Sequence, residues 1–366
     1  MPPEYPKYTE RRVAEILRVD PVHPDTAIIE RAAACLRSGG LVAFPTETVY
    51  GLGADATNTD AVRRVFAAKG RPSTDPLIVH VPDLDSVRPL VSHLTDSAVT
   101  VARALWPGPL TLVLPRSGLI GTEVTAGLET VAVRVPAHPV ARALVIAARV
   151  PVAAPSANLF SRPSPTRAEH VADDLGDAID LIVDAGATLV GLESTVLDLT
   201  SDPPRVLRPG GVSLERLREL LPNVVLRDVQ ASPTDAMRSP GMLSKHYAPR
   251  TPLTLFEGNT QDVLDRIAAE VGVAIERGER VALLGTHEML ARAKQAIGAL
   301  PAITFLEIGS DSSAAGIASR LYASLRDCDA AGVDRVLALQ VADDRGIALA
   351  VRDRLRRASA GDIVRC

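Results

Sequence analysis

Residues 41–55 read LVAFPTETVYGLGAD. An apolar run, Leu41 to Phe44, stops at Pro45, and Thr46, Glu47, Thr48 and Tyr50 follow before Gly51 and Gly53. The pattern predicts a strand that ends in a polar stretch and then a glycine-rich turn. Upstream, DTAIIERAAACLR (25–37) predicts a helix with Ile28, Ile29, Ala32 and Leu36 on one face, stopped by Gly39 and Gly40. Downstream, Asp60 to Lys69 predicts a helix capped by Asp60 and closed by Gly70. Strands are expected at 77–81, 111–115, 131–136, 179–184, 195–199 and 205–208, with a short one opening PVAAPSAN (151–158). Helices are expected near 97–105 and 140–148, and a Thr166/Glu169 capping box predicts another running to Leu175. Strands outnumber helices, which predicts an α/β domain on a mixed, twisted sheet over residues 22–212.

A helix at 214–221 leads into a Pro- and Ser-rich stretch without periodicity, so residues 213–251 read as an interdomain linker. From Leu253 the pattern becomes regular. Strands at 254–256, 281–286, 303–309 and 336–341 alternate with helices at 262–276, 289–297, 314–327 and 347–357. Residues 252–366 therefore predict a smaller, doubly wound, Rossmann-like parallel sheet. No glycine fingerprint marks it as a nucleotide site.

The chain has 366 residues, long enough for two cores, with 46% hydrophobic and 23% charged residues and a net charge of -4. That balance argues against bulk nucleic-acid binding but permits a local cationic pocket. Cys35, Cys328 and Cys366 form no paired motif, so a reducing cytoplasm is expected, with no disulfide framework or zinc site. Neither a signal peptide nor an apolar run of ~18 residues is apparent, and no membrane association is expected.

Three clusters carry candidate chemistry. In AAKGRPSTDPLIVH (67–80), Lys69 and Arg71 leave a helix end together, either as capping cations or as a phosphate clamp. His80 closes an apolar strand, as a structural residue or a site residue. In AAPSANLFSRPSPT (153–166), Ser156, Asn158, Ser164 and Thr166 follow a buried strand, where backbone donors and hydroxyls can hold phosphate. In GLESTVLDL (191–199) with RVLRPGG (205–211), Glu193 reads as a loop carboxylate and Arg208 stands before two glycines. Arg134 interrupts the apolar strand VAVRVP and needs an anionic partner. No serine lies in G-x-S-x-G and no metal-binding spacing occurs, which leaves cations and hydroxyls suited to phosphoryl or nucleotidyl chemistry.

FPTETVYGLG, KGRPSTDPLIVH, WPGPLT, TAGLETVAVRVPAHP, AAPSANLFSRPSPT, ESTV, LRPGG and KHYAP occur in this order. Together they resemble the YrdC-like threonylcarbamoyl-AMP synthases in their two-domain form. The resemblance implies conversion of L-threonine, bicarbonate and ATP into threonylcarbamoyl-AMP and pyrophosphate. It implies Mg²⁺ accompanying ATP and pyrophosphate, with no metal held by protein side chains. The product would serve a separate transferase that modifies certain tRNAs. Carried over by position, the L-threonine site comprises Thr48, His80, Arg134, the backbone at Ala154, and Ser194. Arg134 would pair with the threonine carboxylate. The nucleotide site comprises Lys69, Arg71, Asp75, Thr130, Ser156, Asn158, Ser164, Arg208 and Tyr247, with Lys69 and Arg71 as catalytic cations. Asp75 departs from an Asn found in some relatives, and a carboxylate there needs Mg²⁺ or the ribose as partner. Tyr50 is expected to wall the ligand, Thr46 and Glu47 to brace the turn, and 239–249, with Gly241, Lys245 and Tyr247, to cover the site.

Two alternatives make different demands. A carbamoyltransferase with a YrdC-like module would carry zinc-finger-like cysteines. An RNA-binding module would need more than 3% aromatic residues for stacking.

Overall fold

The computed structural model describes residues 13–227, 246–298, 300–341 and 343–366. Two sheets organise these residues. The first contains β1 (Glu15–Arg18), β2 (Val42–Pro45), β3 (Tyr50–Asp55), β4 (Ile78–His80), β5 (Leu110–Pro115), β6 (Thr130–Arg134), β7 (Val152–Ala153), β8 (Leu181–Asp184), β9 (Thr195–Asp198), β10 (Arg205–Arg208) and β11 (Val225–Leu226). Their order is β1-β8-β2-β3-β7-β4-β6-β5-β9-β10-β11, with parallel and antiparallel neighbours mixed. Helices α1 (Thr26–Arg37), α2 (Thr59–Lys69), α3 (Asp96–Leu105), α4 (Thr122–Thr125), α5 (Pro139–Ala148), α6 (Ala168–Leu175) and α7 (Leu214–Leu220) connect or cover the strands.

The strand pleat sorts side chains between two apolar layers. Val42 and Phe44 of β2, with Leu181 and Val183 of β8, pack under Ile29, Leu36, Val140 and Leu144 of α1 and α5. Ala43 and Ile182 point the other way, into the layer holding Val62 and Phe66 of α2, Val101 of α3, Val171 of α6 and Leu217 of α7. A third, small cluster (Ile78, Val113, Ala132, Val196 and Leu207) lies apart from the α1/α5 layer.

Several local expectations are corrected. Tyr50–Asp55 is a strand, paired antiparallel with β2, and not a glycine turn. Gly53 is needed there because neighbours crowd it: a Cβ would sit 2.9 Å from the Phe44 ring and 3.0 Å from Val152. Asn58, not Asp60, caps α2 by accepting from the Asp60 and Ala61 amides. The Thr166/Glu169 box does not form; Arg167 is the N-cap, without a side-chain bond, and Thr166 donates its backbone N–H to His170 Nδ1. Part of the expected linker belongs to the first sheet. Leu217, Leu221 and Val224 are buried in its core, and β11 pairs with β10. At the other end, β1 precedes residue 22 and pairs with β8.

The second sheet contains β12 (Leu253–Glu257), β13 (Val281–Gly285), β14 (Ile303–Glu307), β15 (Arg335–Leu339) and β16 (Ile363–Arg365), ordered β14-β13-β15-β12-β16 and parallel throughout. Its helices are α8 (Thr260–Glu276), α9 (His287–Ile297), α10 (Ala314–Ala330) and α11 (Ala348–Ala358). Val281, Leu283, Leu337 and Leu339 face α8 and α9, while Ala282, Leu284, Val336 and Ala338 face α10 and α11. Strands buried on both faces read as continuous apolar runs, which is why this alternation is legible. β15 lies between β13 and β12, so the strand order departs from the usual Rossmann order while both faces remain covered.

The α10/α11 layer also contains Val49, Leu192 and Tyr247, so the second sheet docks on the first through its helices. One close approach is at Gly191, where φ is +75° and a Cβ would lie 2.4 Å from Ser319 Cα. Only glycine meets both requirements there. Among the described residues no helix is long and apolar enough to cross a membrane.

Candidate active site

The β2–β3 turn is built by Thr46. Its Oγ1 accepts the Thr48 and Val49 amides at 3.1 and 3.2 Å and donates to the Val49 carbonyl at 2.6 Å. This holds Thr48 buried, with Oγ1 2.7 Å from Thr46 Oγ1. β4 and β6 run parallel with His80 directly beside Arg134. Ala154 follows β7, Ser194 precedes β9, and Arg208 ends β10. Strand ends and the turns beside them thus gather residues from six parts of the chain around one cavity.

That cavity is lined by Thr48, His80, Arg134, Ala154 and Ser194 together with Arg71, Ser156, Arg208 and Tyr247. All five residues expected around L-threonine are therefore brought together, beside four of those expected around the nucleotide. The other five nucleotide candidates stand off the lining. Lys69 lies beneath it, its Nζ donating to the Asn158 carbonyl at 2.6 Å and also to that of Ser156. Asn158 Nδ2 braces the loop through the Leu159 and Arg162 carbonyls. Ser164 donates to Glu193 Oε1 at 2.6 Å. Asp75 pairs with Arg71 at 3.0 Å, leaving Oδ2 without a partner. Thr130 starts β6, about 13 Å along the strand from Arg134. Tyr50 does not wall the cavity; it is buried in the core and donates its hydroxyl to the Gly186 carbonyl.

Arg71, Arg134 and Glu193 of the cavity each have a partner of opposite charge. Arg134 Nη2 meets Glu47 Oε1 at 2.6 Å, Nη1 donates to Thr48 Oγ1 at 3.0 Å, and Nε donates to the Gly108 carbonyl at 3.3 Å. The cost of burying Arg134, assigned above to the ligand carboxylate, is met by Glu47 in this structure. Glu47 is thus more than a turn brace, and it also accepts the Ala137 amide. Against the cost of its own burial, Arg134 keeps the Glu47 carboxyl below its ordinary range. Burial first, then Arg134, pushes the His80 imidazole down to about 3, so it is neutral, and its Nδ1 has no partner. Burial lowers Lys69 well below its usual value and raises Asp75 despite Arg71.

Glu193 lies in the cavity wall facing the second domain. It accepts from Ser164, from the Tyr322 hydroxyl at 2.8 and 3.0 Å, and from Arg354 Nε at 3.0 Å. Burial opposes its ionisation, but Arg354, then Arg208, then the two hydroxyls bring its pKa to about 2. Because the folded value is depressed, this stabilisation is present above the unfolded value of about 4.3 and is lost as pH falls from there toward the folded one. The melting temperature should drop across that window, and Glu193→Gln should remove part of the drop. A wild-type profile identical to that of the variant would contradict this.

Of the expected cover, 239–249, only residues 246–249 are among those described. Residues 239–245, with Gly241 and Lys245, lie outside the described residues. His246 and Tyr247 line the cavity. The His246 ring meets Phe160 edge-on at 5.8 Å, Tyr247 stacks at 5.3 Å on Tyr322, and the Ala248 amide donates to the Ser161 carbonyl. The cavity's free volume is about 40 Å³, enough for water and far below the ~300 Å³ of a small ligand site. Among the described residues no group of three His, Cys, Asp or Glu side chains is placed to hold a metal.

Tyr322, Arg354 and His246 escaped sequence reading. Arg354 had a signal, since it falls on the apolar stripe of α11 with Val351, Leu355 and Ala358. Tyr322 sits in the buried stripe of α10, where an aromatic reads as core.

Comparison with known proteins covers both sheets. Residues 34–210 match the family model Sua5_yciO_yrdC, described as "Telomere recombination", and residues 212–360 match one described as "Threonylcarbamoyl-AMP synthase, C-terminal domain". The threonylcarbamoyl-AMP synthase of Bacillus subtilis is 43% identical, covering 92% of this chain and 94% of its own length. That of Pyrococcus abyssi is 41% identical, covering 92% and 95% respectively. The crystal structure of P. abyssi Sua5 complexed with L-threonine superposes with a TM-score of 0.87 at 40% identity, over 96% of this chain and 99% of that one.

Proposed function

The chain belongs to the threonylcarbamoyl-AMP synthase family, and from that premise we propose how its residues carry the reaction. It is an enzyme that uses ATP and L-threonine to make threonylcarbamoyl-AMP. In the finer reading it is a nucleotidyltransferase whose third substrate is bicarbonate and whose second product is pyrophosphate. The observation that carries the reading is the single cavity in which Thr48, His80, Arg134, Ala154 and Ser194 stand beside Arg71 and Arg208.

The amine of L-threonine, once neutral, takes up the bicarbonate carbon to form a carbamate, with loss of water. A carbamate oxygen then attacks the α-phosphorus of ATP, and pyrophosphate leaves. Arg134, held by Glu47, presents its guanidinium to the amino-acid carboxylate, with Thr48 and Ser194 beside it. The neutral His80 ring offers a free nitrogen that can accept from the amine. Arg71 and Arg208 stabilise charge on the phosphates, and Lys69 holds the Ser156–Asn158 backbone in shape for them. Mg²⁺ arriving with ATP would neutralise phosphate charge, and the unpartnered Asp75 Oδ2 suits either that ion or the ribose. The product would pass to a separate tRNA-modifying transferase.

A carbamate is labile in water, and a closed cavity protects it. The small free volume means that lining residues shift before a nucleotide enters, and His246 and Tyr247 are the candidates from the expected cover. Deleting residues 239–249 should lower turnover at least tenfold while both domains stay folded by circular dichroism; unchanged kinetics would reject this cover. The reaction itself is tested by pyrophosphate release with ATP, L-threonine and bicarbonate. Omitting threonine or bicarbonate should abolish release, and equal release without them would reject the assignment.

A further inference from the structure

Three carboxylates stand at or beside the cavity, each buried and each with a guanidinium. Glu47 is paired with Arg134 and Asp75 with Arg71, both within the first domain. The guanidinium bonded to Glu193 is Arg354, 161 positions away on α11 of the second domain. Arg354 has no solvent exposure, and its Nη1 is also bonded to Asp353 at 2.7 Å. The Tyr322 hydroxyl, from α10, bonds both oxygens of the same carboxylate. Glu193 lines the cavity between Ser194 and the loop of Ser164, near the cations expected to face phosphate.

An unpaired carboxylate at that place would repel a polyphosphate through a low-dielectric wall, where little solvent screens it. We propose that Tyr322 and Arg354 are positioning residues of the active site, through which the second domain fixes Glu193 and cancels its charge so that the cavity accepts ATP. The second domain then completes the charge balance of the site, rather than serving only as a scaffold or cover. This rests on the ATP-dependent reading above.

The test uses the full chain and compares Arg354→Met with Glu193→Gln/Arg354→Met, following the Michaelis constant for ATP, the affinity for α,β-methylene-ATP and the melting temperature. Arg354→Met removes the guanidinium bonded to the carboxylate, leaving only the more weakly acting Arg208 as a nearby cation, and should weaken both nucleotide constants about tenfold or more. The double variant removes both charges and should return them to within about threefold of the wild type. A merely structural contact gives the opposite order, with the double variant no better than the single one, and that result overturns the proposal. If Arg354→Met does not fold, Arg354→Lys keeps the charge and must bind the analogue within about threefold of the wild type; a tenfold loss overturns the proposal. A wild type without threonine-dependent pyrophosphate release would count against the parent reading. An active wild type with an unrescued pair would count against this inference alone.

Discussion

Arg134→Ala should lower kcat/KM for L-threonine by about a hundredfold or more, because the substrate carboxylate loses its guanidinium. The same change should cost about 3–5 kcal/mol of stability, since Glu47 would remain buried without its cation. The two effects can be separated. Glu47→Gln keeps a neutral acceptor for Arg134 and the Ala137 amide, and Arg134→Ala/Glu47→Gln removes both charges. The double variant should recover much of the melting temperature and little of the threonine kinetics. Arg134→Lys should restore neither fully, because a point charge cannot meet Glu47, Thr48 and the Gly108 carbonyl together. Steady-state kinetics varying threonine at saturating ATP decide the matter. An unchanged threonine KM and kcat in Arg134→Ala would remove Arg134 from the amino-acid site.

Arg71→Ala should reduce kcat by about a hundred- to a thousandfold with little change in threonine KM. Two causes add. Charge developing on the phosphates loses a preorganised donor, and Asp75 is left as an unpaired carboxylate beside the cavity. Arg71 also donates to the Pro76 carbonyl at 2.8 Å and to the Asp75 carbonyl at 3.3 Å, so it shapes the loop that carries its own partner. Arg71→Ala/Asp75→Asn should therefore regain part of the ATP affinity but not kcat. A variant whose ATP kinetics match the wild type, or that affects threonine alone, would contradict the assignment of Arg71 to the phosphates.

The parts of the fold that were legible share a physical property: their signal is local. β12, β13 and β15 are apolar on both faces, and the helices between them carry one buried stripe, so period and length sufficed. β3 was missed because its glycines mimic a turn, and the crowding by Phe44 and Val152 that explains Gly53 in a strand is visible only in three dimensions. The two misplaced caps fell one or two positions off: Asn58 accepts the amides in place of Asp60, and Arg167 occupies the N-cap position of α6 without a side-chain bond. The extent of the linker was misjudged because α7 is short and its inward residues, Leu217 and Leu221, look unremarkable without the sheet they cover.

The candidate site divides along the same line. By itself the sequence determined the chemistry available: cations at Lys69, Arg71, Arg134 and Arg208, hydroxyls at Thr48, Ser156 and Ser194, and an ordered set of motifs specific enough to name the family. Those are properties of short segments, and each can be read where it stands. Only the tertiary structure decided which charge answers which. It paired Arg134 with Glu47 across 87 positions, and Glu193 with Tyr322 and Arg354 across 129 and 161. The energy of a buried ion depends on what lies within a few ångströms of it. That neighbourhood is set by the docking of α10 and α11 against the first sheet, and no periodicity along the chain encodes it.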